Sequence, residues 1–219
     1  MLCGLAGLIV AGGCIVSDQL TTLTIHADES ADLILFRSNI RSTEAGEAGA
    51  KELAEYRRGF DERSDDDLKR LTAAGGEIVS ATWVKSEVPL CNVVRVRFPS
   101  LAALEKLGTL KDEPSEISLQ TKFSKSGTKR RISVRLQMNP EHFAEAATGE
   151  GALKEFRQAL ANGISQVRIA LSSGKFVEAR GFTLAEDRQS ALFDDDAVKD
   201  AILKGRGRTE LFLEWEVAE

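Results

Sequence analysis

The chain is poor in the residues that carry most enzyme chemistry. It has 219 residues but only two histidines, His26 and His142, and three cysteines, Cys3, Cys14 and Cys91. No His-x-x-x-His or Cys-x-x-Cys pair occurs, so the spacings that build a zinc site are missing and no metal is expected. A Ser-His-Asp triad would have to recruit one of the two histidines. There is no Gly-x-Ser-x-Gly elbow, phosphate loop or dinucleotide fingerprint, and no cofactor is expected. A basic excess is also lacking. The net charge is −5 and the pI about 5.3, which argues against a dedicated nucleic-acid binder. After the first 16 residues no segment is apolar enough to span a bilayer.

What remains is an ordinary globular composition, 42% apolar and 29% charged, long enough for one large domain or two small ones. One segment departs from it. Leu5-Ala6-Gly7-Leu8-Ile9-Val10-Ala11-Gly12-Gly13 is apolar, ends in two small residues and is closed by Cys14, after which the sequence turns polar. Residues 1–13 carry no side-chain charge. The pattern resembles a bacterial lipoprotein signal, although Ala11 stands where leucine is usual and no Lys or Arg precedes the run. The resemblance implies cleavage before Cys14 and a diacylglycerol, with palmitate-type acyl chains, on its sulfur. It implies a protein fixed to the membrane of the cell envelope and facing the periplasm or exterior. Ile15 stands where enterobacterial lipoproteins retained at the inner membrane carry aspartate, so the outer membrane is favoured. Two other readings of residues 2–16 stay open: a buried strand or helix of the fold, and an uncleaved anchor. The run is shorter than the roughly 20 residues of a span, and its glycines make a poor helix.

With Cys3 removed and Cys14 acylated, Cys91 would be alone. No intramolecular disulfide is then expected, and Cys91, at the start of a strand, reads as a packed thiol rather than a nucleophile.

Beyond the signal, periodicity places the elements. Residues 20–26 alternate as a strand, and 32–41 form a second after the polar turn Ala27-Asp28-Glu29-Ser30, making a hairpin. Residues 46–73 are helical, with a break at Ser64-Asp65-Asp66-Asp67 and a stop at Gly75-Gly76. Strands follow at 78–85 and 92–98, then a short helix after Ser100 with Leu101, Leu104 and Leu107, and a strand at 117–123. The second half gives strand 132–138, helix 152–161, strands 166–171 and 176–184, helix 194–204 and strand 211–217. The expectation is an α+β fold of antiparallel sheets with helices on one face, arranged as two tandem ferredoxin-like βαββαβ units. Residues 1–13 would be the signal, 14–30 tether and first strand, 31–123 the first unit and 124–219 the second. A single mixed sheet without internal symmetry is the alternative.

The other constellations are weak. Ser126-Gly127-Thr128-Lys129 and Ser172-Ser173-Gly174-Lys175 have Ser-x-x-Lys spacing, but both surround a glycine between strands, where turn chemistry explains them. Asp65-Asp66-Asp67 and Asp194-Asp195-Asp196 could attract a cation, yet each opens a predicted helix, where acids cap free N–H groups and offset the macrodipole. The notable charge feature is basic: Lys122, Lys125, Lys129, Arg130, Arg131 and Arg135 lie in a stretch free of acids. With Arg95 and Arg97 they would contact an anionic partner if Lys122, Arg131 and Arg135 share their sheet face. Lipid headgroups, an acidic polymer or an acidic protein surface would fit. Glu210, Glu214 and Glu216 on the last strand would instead offset them, with Phe212 an apolar outlier among those acids. The resulting expectation is a lipid-anchored, non-catalytic binding module for an envelope protein or anionic polymer. A carboxylate-based envelope hydrolase and a structural or assembly lipoprotein are the alternatives.

Overall fold

The structure, a computed structural model, describes residues 15–109, 117–138, 165–193 and 208–217. The expected helices 152–161 and 194–204, and with them His142, Asp194-Asp195-Asp196, Cys3 and Cys14, lie outside the described residues.

The chain begins with β1 (Ile15–Ile25) and β2 (Ala31–Ser42), the expected antiparallel hairpin. α1 (Gly46–Asp61) and α2 (Asp66–Ala73) follow. The break between them falls at the expected place. The Asp65 carboxylate accepts from the Asp67 and Leu68 N–H groups at 3.0 and 3.3 Å, so the first aspartate triplet serves as a cap. Gly75, at φ +92°, ends α2 in the left-handed conformation. Gly76 then turns the chain where a Cβ would meet the Val96 and Phe98 side chains at 2.6 and 2.9 Å. β3 (Glu77–Lys85), β4 (Leu90–Phe98), α3 (Leu101–Thr109), β5 (Ile117–Ser126) and β6 (Lys129–Met138) complete the first part. β7 (Ser165–Leu171), β8 (Lys175–Arg180), β9 (Phe182–Leu184), β10 (Ser190–Phe193) and β11 (Arg208–Glu216) make up the second.

Strands and helices together give the α+β class. The strands form a seven-stranded sheet, ordered β3-β4-β2-β1-β7-β10-β9, and a four-stranded sheet, ordered β5-β6-β11-β8. This pairing does not resolve into tandem ferredoxin-like units. β3, β4 and β2 keep the antiparallel order of the second, third and first strands of a βαββαβ unit, but the place of the fourth strand beside β2 is taken by β1. β1 joins the halves by pairing in parallel with β7, and β5 leaves the large sheet altogether. The physical reason is core formation across the halves. Leu23, Leu33, Leu35, Val94 and Val96 of one sheet and Ile132, Phe176, Leu213 and Trp215 of the other fill one apolar cluster, together with Phe60, Leu68, Leu71, Leu101 and Leu104 from the helices.

The predicted strand 176–184 is two strands in two sheets. Gly181, at φ +74°, lets the chain cross from β8 to β9, and a Cβ there would run into the buried Leu211 side chain. β10 carried no sequence expectation. The edge strand β3 is irregular at two places against β4, and Val79 and Val84 fall there, 53% and 62% exposed. Such bulges blunt an edge against further pairing.

Candidate functional site

The structure divides the basic residues that the sequence grouped. Arg95 and Arg97 lie on β4 of the large sheet; Lys122 and Lys125 on β5, and Lys129, Arg130, Arg131 and Arg135 on β6, belong to the small one. The expected common face is therefore not formed, because β6 pairs with β11 rather than with the β4 sheet. Register sets Arg135 opposite Glu210, Arg131 opposite Glu214 and Lys129 opposite Glu216, a basic strand beside an acidic one. Lys129 Nζ is 3.2 Å from Glu214. Glu29, in the β1–β2 turn, takes Arg130 Nε at 2.8 Å and Lys125 Nζ at 3.6 Å, tying the two sheets together. Arg97 Nε donates to Asp32 Oδ1 at 3.0 Å, and that bond holds the Asp32 carboxyl below its usual range. Phe212 is no exposed contact point: it is 9% exposed and lies under the Arg131 guanidinium.

Two Ser-x-x-Lys sets sit in turns, with Gly127 at φ +57° and Gly174 at φ +85°. Cys91 is half-buried, and burial pushes its thiol up, which suits a packed rather than reactive group. His26 Nε2 lies 3.2 Å from Asp32 on the surface. Among the described residues no group of three or more His, Cys, Asp or Glu converges to hold a metal, and no helix is long and apolar enough to cross a membrane.

Sequence reasoning missed a buried polar cluster at one level of the large sheet. The register aligns Trp83, Asn92, Arg37 and Gln19 across β3, β4, β2 and β1. Arg37, 4% exposed, donates to Asp67 Oδ2 of α2 at 2.5 Å and to the Tyr56 hydroxyl of α1 at 3.3 Å. Asn92, fully buried, donates to the same hydroxyl at 3.0 Å, and its Oδ1 has no partner. Burial works against the Arg37 charge, but Asp67 and Tyr56 outweigh it and raise its pKa. Burial pushes the Asp65 carboxyl up, with Arg37 opposing. Trp83 closes the cluster, edge-on to Tyr56 at 6.2 Å and donating to Asp61 at 2.7 Å. The arrangement clamps both helices to the sheet. The signal that could have found it is Arg37 itself, which takes a core position after Leu33 and Leu35 in an alternating strand.

The other face of the large sheet, away from α1–α3, carries the better surface. Thr82, Val93, Phe36, Leu20 and Gln166 form one row across five strands; Ser80, Arg95, Ile34, Thr22, Arg168 and Leu192 form the next across six. Leu20 and Leu192 are 41% and 43% exposed, while Phe36, Ile34 and Val93 are partly so. Arg95 is exposed, and among the described residues no carboxylate pairs with Arg95 or Arg168; Arg168 donates to Ser190 Oγ at 3.2 Å. The arrangement can hold apolar side chains and an anion, and it brings no acid–base pair together.

No protein-family model and no curated protein matches the chain. Among solved structures, the folded domain of the LppM protein of Mycobacterium tuberculosis is similar to it at a TM-score of 0.44 and 7% identity, over 97% of this chain and 96% of that one. A likeness at that level carries no argument about function.

Proposed function

We propose that the protein is a lipid-anchored, non-catalytic binding module of the bacterial cell envelope, facing the periplasm or exterior. The observation that carries this reading is the position of Cys14. It closes the apolar run and stands one residue before β1, the middle strand of seven. Acylation there would fix the large sheet to a membrane, and two or more acyl chains hold firmly where one does not. The face bearing Leu20, Ile34, Phe36 and Val93 beside Arg95 and Arg168 would take a protein partner whose own surface is apolar and acidic. An apolar centre favours a protein over a polysaccharide. The ion-paired basic hairpin is the weaker candidate, because Glu29 and Glu214 already answer three of its cations.

The test has two readouts on the full-length protein in its own membranes. Intact mass of the N-terminal peptide is expected to show a diacylglyceryl or triacyl adduct on Cys14 with residues 1–13 absent. An unmodified N-terminus in the soluble fraction would sink the anchor. A photo-crosslinking residue at position 36 is expected to trap a protein partner that the same residue at Glu62, exposed at the end of α1, does not. Equal yields at the two positions would remove the binding face and leave the anchor standing.

A further inference from the structure

The strand that follows Cys14 defines a direction. Ile15 pairs with Ser42, Ile40 with Leu90, and Lys85 with Cys91, so the start of β1, the end of β2 and the β3–β4 turn (Ser86–Pro89) lie at one end of the large sheet. The β1–β2 turn Ala27–Ser30 lies at the other end, about 33 Å along β1 at roughly 3.3 Å per residue. Adjacent Cα atoms are about 3.8 Å apart, so Cys14 has no linker between itself and the sheet. The β3–β4 turn is two to three strand spacings from β1, roughly 10–14 Å.

This end also carries the two most exposed large apolar side chains among the described residues. Val84 and Val88 are each 62% exposed, and Pro89 beside them is exposed as well. The charges beside them in the chain are mixed, Lys85 against Glu87. Headgroup attraction would therefore contribute little, and burial of apolar side chains would dominate.

We propose that the end of the seven-stranded sheet formed by the β3–β4 turn, with Val84, Val88 and Lys85, rests on the lipid surface that holds the Cys14 acyl chains; this rests on the anchor reading above. Val84 and Val88 enter the interface, and the Lys85 stem follows while its ammonium stays in water. The protein then stands on its anchor. The β1–β2 turn and the basic hairpin bound to Glu29 point away from that membrane, so lipid headgroups of the same bilayer are not their partner.

The test uses the full-length protein in native membranes, with Cys91→Ser removing the remaining thiol of the mature chain. Val88→Cys and, separately, Ser30→Cys are labelled with a polyethylene-glycol maleimide, in membranes and after detergent extraction. Labelling at position 88 is expected to be several-fold slower in membranes than in detergent, and labelling at position 30 equal in both. Val84→Cys gives the same reading should Val88→Cys fold poorly. Equal rates at positions 84 and 88 in membranes and detergent, with the Cys14 adduct present in the same sample, would overturn this proposal alone. Absence of the adduct would overturn the anchor and this proposal with it.

Discussion

The Arg131 guanidinium lies 3.7 Å from the centroid of the Phe212 ring, on a face where register also sets Arg131 opposite Glu214. The contact explains how an aromatic side chain is tolerated among glutamates: the cation covers its face. A double-mutant cycle of Arg131→Ala and Phe212→Ala should give a coupling of about 0.5–2 kcal/mol by urea unfolding. Strictly additive losses would show that the stacking contributes nothing.

The buried Arg37 should respond asymmetrically to loss of either partner. Asp67→Asn removes the carboxylate charge that faces the buried guanidinium and leaves it neutral acceptors, the new amide oxygen and the Tyr56 hydroxyl. Arg37→Met removes the charge and keeps the aliphatic stem packed. Asp67 is 51% exposed, so the full cost of an orphaned buried charge is not expected; about 1–3 kcal/mol is. The measurement is denaturant midpoint at constant slope. A larger loss for Arg37→Met than for Asp67→Asn would refute this asymmetry.

Two carboxylates should pull the pH dependence of stability in opposite directions. Asp32 is held below its ordinary range by its bond to Arg97, so it contributes stability above the unfolded-state value, about pH 4. That contribution is lost as pH falls through the folded value, and Asp32→Asn should soften the acid limb of the stability curve. Asp65 is pushed up by burial, so the native state binds its proton more readily and stability falls as pH rises from the unfolded toward the folded value. Asparagine caps a helix as well as aspartate does. Asp65→Asn should therefore be neutral or stabilising at pH 7, and that advantage should vanish in acid. Thermal unfolding from pH 3 to 7 reads both, and a loss at pH 7 in Asp65→Asn contradicts the assignment.

Gly181 carries both a left-handed backbone and a contact that excludes a side chain. Gly181→Ala should cost about 1–3 kcal/mol, seen as a Tm lower by roughly 2–4 °C for each kcal/mol in a chain of this size. Gly127→Ala provides the comparison. It also has positive φ, but open space surrounds it, so it should lose only the conformational part. Equal losses at the two positions would remove the steric role of Leu211.

Sequence alone determined what depends on neighbours along the chain. The β1–β2 hairpin follows from alternation around Ala27–Ser30. The α1–α2 break follows from the capping chemistry of Asp65, and the stop from Gly75-Gly76. The Cys14 run is likewise a local pattern. Only the tertiary structure decided which strands meet. A period of two marks a strand and its buried face, but it does not say which remote strand supplies the pairing partner. Thus the parallel β1–β7 pair, the passage of 175–184 between sheets and the separation of Arg95 and Arg97 from the β5–β6 cations were not legible. Arg37 was legible as a charge in a core position. Its partners, Tyr56 and Asp67, come from helices 19 and 30 residues away, and burial of one apolar core across both halves brings them together.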